Sequence, residues 1–186
     1  MSEIIKNQTV DSILNRRSVR KYKSDALTDA QIATLREAAL QYPSASNAQP
    51  CEVRIVTDRA LMKEFNQDCL DYVFKPAGRG GSDDPNYSFY FNAPLYIFIF
   101  GDSSNWFSKI DSGIMVENIA IAAESMGLGN VIIGCCNPLF KTEAAGKWLE
   151  TLKVPATHEI VISIAIGVKD ESPAAKPRSE AKFITL

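Results

Sequence analysis

The chain has a single histidine, His158, and four cysteines, Cys51, Cys69, Cys135 and Cys136, none of them in a Cys-x-x-Cys pair. Metal centres built from spaced imidazoles and thiolates are therefore not indicated. A vicinal pair plus two scattered cysteines is also a poor disulfide framework for a chain this long, so reduced thiols are expected. Adjacent cysteines close only a strained ring, and Cys135 and Cys136 read as small apolar core or turn residues rather than a redox pair. Basic excess is missing too. With 20 Lys and Arg against 22 Asp and Glu, the net charge of -2 excludes the broad positive face of a general nucleic-acid binder. The longest apolar segment, residues 110–126, is interrupted by Asp111, Glu117 and Glu124, so no membrane span is expected. No charged-then-apolar leader and no lipidation motif is recognisable, and a cytoplasmic location is expected.

Against that near-neutral background, Asn15-Arg16-Arg17-Ser18-Val19-Arg20-Lys21-Tyr22 is densely basic. Three arginines this close repel one another unless an anion lies between them, and each guanidinium offers paired donors to phosphate or carboxylate. Basic side chains at a helix C-terminus also complement the helix dipole, which accounts equally well for the stretch taken alone.

The remaining pattern is that of one α+β domain over residues 1–186, long enough to bury a core without disulfide or metal. Val10, Ile13 and Leu14 predict a short helix, capped by Asn7 or Thr9, that delivers the arginines. Thr28 to Gln31 resembles a capping box and opens a second helix that stops before Pro43. Residues 43–50, Pro-Ser-Ala-Ser-Asn-Ala-Gln-Pro, read as a loop, and 51–56 as a strand. A helix is predicted over 59–72, a mobile surface loop over 75–86, and a lid or interface at the aromatic 87–91. The unbroken apolar run 95–100 reads as a central strand covered on both faces. A helix over 109–126, apolar nearly all round, must be enclosed, and Gly127 suits its left-handed end. Strands over 130–134 and 159–167 bracket a helix over 141–149. Gly127-Leu128-Gly129-Asn130 falls short of a dinucleotide fingerprint. His158 reads as a strand-edge residue, Trp106 and Trp148 as packing residues, and Glu117 and Glu124 as interface partners or a solvated strip. Phe183, Ile184 and Leu186 imply that the tail packs on something, a partner chain included.

Taken in order, Arg16-Arg17-Ser18-Val19-Arg20, the loop 43–50, Asn92-Ala93-Pro94 before a buried strand, the apolar helix ending Met126-Gly127-Leu128-Gly129, and Lys176-Pro177-Arg178 resemble the FMN-dependent nitroreductase family. The resemblance runs nearly end to end. It implies a nitroreductase-like fold, a central mostly antiparallel sheet flanked by helices, in an intertwined homodimer with FMN at the subunit interface. By family position Arg16, Arg17 and Ser18 bind phosphate or ribityl oxygens, joined by Lys176 and Arg178, while Arg20 reaches the N1/O2 edge of the ring. Pro43, Ser44, Ala45, Ser46 and Asn47 would come from the other subunit, and Gly134 and Cys135 would approach N5 by backbone. The implied activity is ping-pong reduction of nitroaromatics, quinones or related acceptors by NADH or NADPH, with no catalytic side chain nominated, because the flavin carries the redox chemistry. A flavin-binding or sensing protein with little turnover, or a flavin-fragmenting or dehalogenating member of the superfamily, are the alternatives.

Overall fold

In the computed structural model, which describes residues 4–79, 84 and 86–185, the chain runs α1 (Gln8–Asn15), α2 (Asp29–Leu40), β1 (Cys51–Val56), α3 (Arg59–Cys69), β2 (Leu95–Asp102), α4 (Ser108–Ser125), β3 (Leu128–Ile133), α5 (Ala145–Thr151) and β4 (His158–Val168). The four strands form one antiparallel sheet in the order β1-β2-β4-β3. β2 is buried from Leu95 to Gly101, as its unbroken apolar run requires of a strand covered on both faces. Alternation then divides the core. Leu95, Ile97 and Ile99 pack with α2 and α4 on one face, and Tyr96, Phe98 and Phe100 meet α3 and α5 on the other.

The second face is aromatic. Phe65 meets Phe98 edge-on at 5.0 Å and Trp148 at 4.7 Å between ring centroids. The indole N–H of Trp148 donates to Asp68 Oδ2 at 2.8 Å, so its polar edge is not stranded in the core. On the first face α2 opens with the capping box read from sequence. Gln31 N donates to Thr28 Oγ1 at 3.2 Å and Thr28 N to Gln31 Oε1 at 2.9 Å. Asn7, not Thr9, caps α1.

Several boundaries differ from the sequence reading, each for a local reason. The helix expected over 59–72 stays α-helical only to Cys69 and widens into a π turn, Leu70–Phe74, that turns Leu70, Val73 and Phe74 into the core. The helix expected over 141–149 is displaced. Pro138 initiates a 3-10 turn, Asn137–Lys141, Thr142 closes it by donating to Leu139 O at 2.7 Å, and α5 starts three residues later. α4 ends with Gly127 at φ +75°, but Gly129 belongs to β3 rather than to the helix end. Trp148 is buried, whereas Trp106 is 87% exposed and is not a core packing residue. The loop expected over 75–86 lies partly outside the described residues, as does Leu186. Phe183 and Ile184 are both exposed, so among the described residues these two find no cover.

Gly167, in central strand β4, marks where the sheet meets the segments flanking it. A Cβ there would lie 2.7 Å from Pro94 Cδ and 2.9 Å from Tyr22 Cδ1, both parts of rigid rings. Gly167→Ala is expected to cost about 1–3 kcal/mol, the usual range for overpacking, read as a lower urea midpoint at unchanged slope.

Candidate functional site

Past α1 the chain turns extended and lines the free edge of β3. Ser18 pairs with Asn130 in a parallel bridge, and Val19 N donates to Asn130 O at 2.9 Å. Val19 is 1% exposed and seats against Gly129, where a Cβ would sit 2.8 Å from Val19 Cγ1. With Val19 turned inward, its neighbours Ser18 and Arg20 face outward. Asn130, fully buried, binds three ways: its Nδ2 donates to Ala120 O at 3.0 Å, its Oδ1 accepts from Arg16 at 3.5 Å, and its carbonyl takes Val19.

A second ladder brings in the far end of the chain. Tyr22 bridges Lys169 antiparallel, Lys23 N donates to Val168 O at 3.0 Å and Asp170 N to Lys21 O at 2.9 Å. Tyr22 also donates its hydroxyl to Val19 O at 2.6 Å, and burial, reinforced by Glu171, pushes this phenol's pKa up. Beyond Asp170, Glu171 accepts the Arg20 N–H, and the tail returns across the arginines. The result is a cleft of about 180 Å³ lined by Arg16, Arg17, Ser18, Arg20, Pro173, Ala174, Lys176 and Arg178.

Five of those eight residues are cations. Arg17 Nη1 donates to the carbonyls of Leu14 and Arg16 at 2.7 and 2.8 Å, and Arg20 Nη1 to that of Ser18 at 3.2 Å. Those contacts orient the guanidinium groups without neutralising them. Among the described residues the one ion pair made by the five is Arg16 with Glu117 of α4, at 3.8 Å. Such a cleft is built to take an anion with several oxygens.

The other residues singled out from sequence lie elsewhere. Pro43, Ser44, Ala45, Ser46 and Asn47 form a tight turn, and none of them lines the cleft. Ser46 and Asn47 both hold φ at +54°, with Gln49 at +48°, and Gln49 N donates to Ser44 Oγ at 3.0 Å. Three left-handed non-glycine residues in so short a stretch are an uncommon conformation, held here by its own hydrogen bonds. Gly134 and Cys135 follow the C-terminal end of β3. Because Ser18 runs parallel to β3 at Asn130, the direction from Arg16 towards Arg20 leads to Gly134, roughly 13 Å beyond Asn130 at the usual strand rise.

Cys135 is half-buried and Cys136 wholly so. Cys136 contacts Tyr96 Oη at 3.4 Å and Ser163 Oγ at 3.7 Å, and burial pushes its thiol up to about 11. Burial raises the Cys135 thiol as well, against an opposing pull from Arg79. Neither thiol is activated, in keeping with their reading as core and turn residues. Sequence reasoning missed Asn130, Glu171, Pro173 and Ala174. Only Asn130 had a visible signal, an amide inside an apolar strand. Glu117 and Glu124 are ion-pair partners within the chain, to Arg16 and, at 2.8 Å, to Lys169.

Known proteins resemble the chain along nearly its whole length. The chain matches the model of the Nitroreductase family over residues 13–168. An NADPH-flavin oxidoreductase of Vibrio harveyi is 29% identical over 194 residues, spanning 96% of this chain and 72% of the relative. An FMN reductase (NADPH) of Bacillus subtilis is 28% identical over 187 residues, spanning 92% and 70%. Among solved structures, a nitroreductase with bound FMN from Desulfitobacterium hafniense superposes with a TM-score of 0.87 at 25% identity, covering 98% of this chain and all of the other. An FMN-dependent nitroreductase from Clostridium difficile superposes at 0.86 with 27% identity, covering 97% and 99%.

Among the described residues Glu117 makes the one ion pair to a cation of the cleft, and it is partly exposed. Glu117→Gln is expected to tighten pyrophosphate binding by about two- to fivefold at low ionic strength, the worth of a solvated ion pair. Calorimetric titration checks this, and the gain should vanish at high salt.

Proposed function

The chain belongs to the nitroreductase family, and from that premise we propose that it is an FMN-dependent oxidoreductase using NADH or NADPH to reduce nitroaromatic, quinone or related electron-poor acceptors. The observation that carries this reading is the cleft in which Arg16, Arg17, Arg20, Lys176 and Arg178 converge with a single ion pair among them. A flavin phosphate is close to a dianion, and holding it away from bulk water takes several charge-assisted donors. The residues present fit that group: Arg16, Arg17, Ser18, Lys176 and Arg178 would hold phosphate and ribityl oxygens.

The direction of the chain along β3 supports the rest of the assignment. Arg20 lies on the Gly134 side of Ser18, so it would face the ring and stabilise the negative charge that reduction places near N1. Gly134 and Cys135 would offer backbone at the N5 side, where the absence of a side chain at 134 lets the main chain come close. When bound, FMN would take hydride from NADH or NADPH and reduce the acceptor in a second, separate half-reaction, a ping-pong scheme. The chain's own contribution is binding, orientation and charge, and no side chain is assigned as general acid or base.

A homodimer belongs to the same proposal. The turn 43–47 is absent from the cleft of its own chain, and a second copy would bring Ser44, Ser46 and Asn47 over the pyrimidine side. Exposed apolar residues on α1, α2, α4 and the tail support it: Ile13, Leu14, Leu40, Ile110, Phe183 and Ile184. Among the described residues no helix is long and apolar enough to cross a membrane.

Purified protein is expected to be yellow, or to turn yellow with added FMN, and to bleach with NADH or NADPH in the absence of oxygen. Colourless protein that cannot be reconstituted overturns the proposal. Arg16→Ala should weaken FMN binding about 10- to 100-fold, the range for one charge-assisted contact. By contrast, Arg20→Ala should lower the two-electron potential by roughly 30–60 mV at saturating FMN. An unchanged potential would reduce Arg20 to an anchor.

A further inference from the structure

A larger cleft, of about 570 Å³, lies on the opposite side of the sheet from α4, between α3 and the segment preceding β2. Arg59, Lys63, Asn66 and Gln67 fall three and four positions apart and so share one face of α3. Tyr87, Tyr90 and Asn92 form the facing wall. That wall is fixed to the helix by the buried Asn66, whose Nδ2 donates to Tyr87 O at 2.9 Å and whose Oδ1 accepts from Phe89 N at 3.1 Å. Its turn is strained: Phe91 and Asn92 hold consecutive φ values of +59° and +52°, although neither is glycine. Strain of this kind persists where the surroundings over-determine it, as at ligand sites.

The polar groups of the cleft are cations and amides. Among the described residues no carboxylate lines it, and neither Arg59 nor Lys63 has one within ion-pair distance. Arg59 Nη2 donates to Ser24 O, leaving its other N–H groups available, and the Lys63 ammonium is exposed. Tyr87 ties the cleft to the other site. Its ring meets Phe74 edge-on at 5.9 Å, Arg79 lies 5.1 Å above that same Phe74 ring, and Tyr87 and Cys135 pack against one aromatic core. The cleft thus runs from Arg59, beside Ser24, to Tyr87, which shares the aromatic core with Cys135.

Nitroaromatics and quinones do not call for two cations that make no ion pair among the described residues, set beside a row of amides, whereas phosphates and ribose hydroxyls do. We infer that this cleft is the subsite for the phosphate-bearing part of the nicotinamide dinucleotide, with Lys63 and Arg59 as its anion-binding residues. The inference rests on the reading of the preceding subsection and adds to it a site, separate from the arginine cleft, that governs affinity for the hydride donor.

Lys63→Glu provides the test, since an exposed side chain can be reversed in charge without disturbing the core. Flavin-loaded wild-type protein is expected to bind ADP in a calorimetric titration, competitively with NADPH. In Lys63→Glu the ADP affinity should fall, and KM for the dinucleotide rise, by about tenfold or more, the weight of one charge-assisted contact. FMN affinity, kcat and KM for a neutral quinone should stay at wild-type values. Normal FMN uptake and bleaching combined with unchanged ADP affinity and dinucleotide KM would overturn the subsite alone. Failure of the wild type to take up FMN would overturn the preceding reading and the subsite with it.

Discussion

The arginine cleft hangs on one edge-strand contact. Val19 gives its N–H to Asn130 O and its side chain to the space left by Gly129. Without that anchor, residues 16–20 would be a solvated linker whose charges sampled many positions. With it, Ser18 and Arg20 are aimed outward at fixed places along β3, and Arg16 is bound to Asn130. Tyr22 reinforces the anchor from the far side by donating to Val19 O. The cost of ordering long cationic side chains is thus met by backbone pairing and burial of a single valine before any ligand arrives, which is what preorganisation means here.

Electrostatics follow from that geometry. Five cations gathered around about 180 Å³ repel one another, and the protein offers them carbonyl oxygens and one partly exposed carboxylate. Carbonyl dipoles fix direction but leave the net charge in place, so the cleft stays strongly attractive to an anion. Three acidic residues near this region are engaged otherwise: Glu124 with Lys169, Asp170 with Lys21, and Glu171 with the backbone of Arg20. Attaching Glu171 to a main-chain N–H keeps its carboxylate off the guanidinium groups while it pins the returning tail.

How much of this was legible in the sequence depended on how local the cause was. The buried run of β2, the capping box of α2 and the antiparallel sheet follow from periodicity, composition and the family resemblance, whereas α4, apolar nearly all round, leaves Ile110 exposed within its own chain. The π turn after Cys69 and the displaced α5 did not, because each is settled by what its side chains meet in the core rather than by local preference. The basic stretch announced an anion, yet composition alone could not separate that from a helix-end effect. Lys176 and Arg178 had meaning only through the resemblance, and the structure brings them to the same cleft by way of the Tyr22–Lys169 bridge. Asn130 shows the opposite case. A polar side chain inside an apolar strand was visible from the start, but its three partners lie on α4, α1's exit and the arginine stretch, which no linear pattern connects.

The two polar clefts differ in how they are built, and the difference suits different residence times. Main-chain pairing along an edge strand, a buried valine and a returning tail enclose the arginine cleft, as a group held through many turnovers needs. One exposed helix face and a strained turn bound the cleft at α3, which has about three times the volume and carries its cations on flexible side chains. Such a surface can bind phosphates by charge yet release them quickly, because each exposed contact is weak and screened. In the scheme proposed above, a cofactor that stays and a donor that leaves would make opposite demands on affinity. Under the proposed function the stronger, preorganised charge cluster would serve the first and the looser one, on α3 across the sheet from α4, the second.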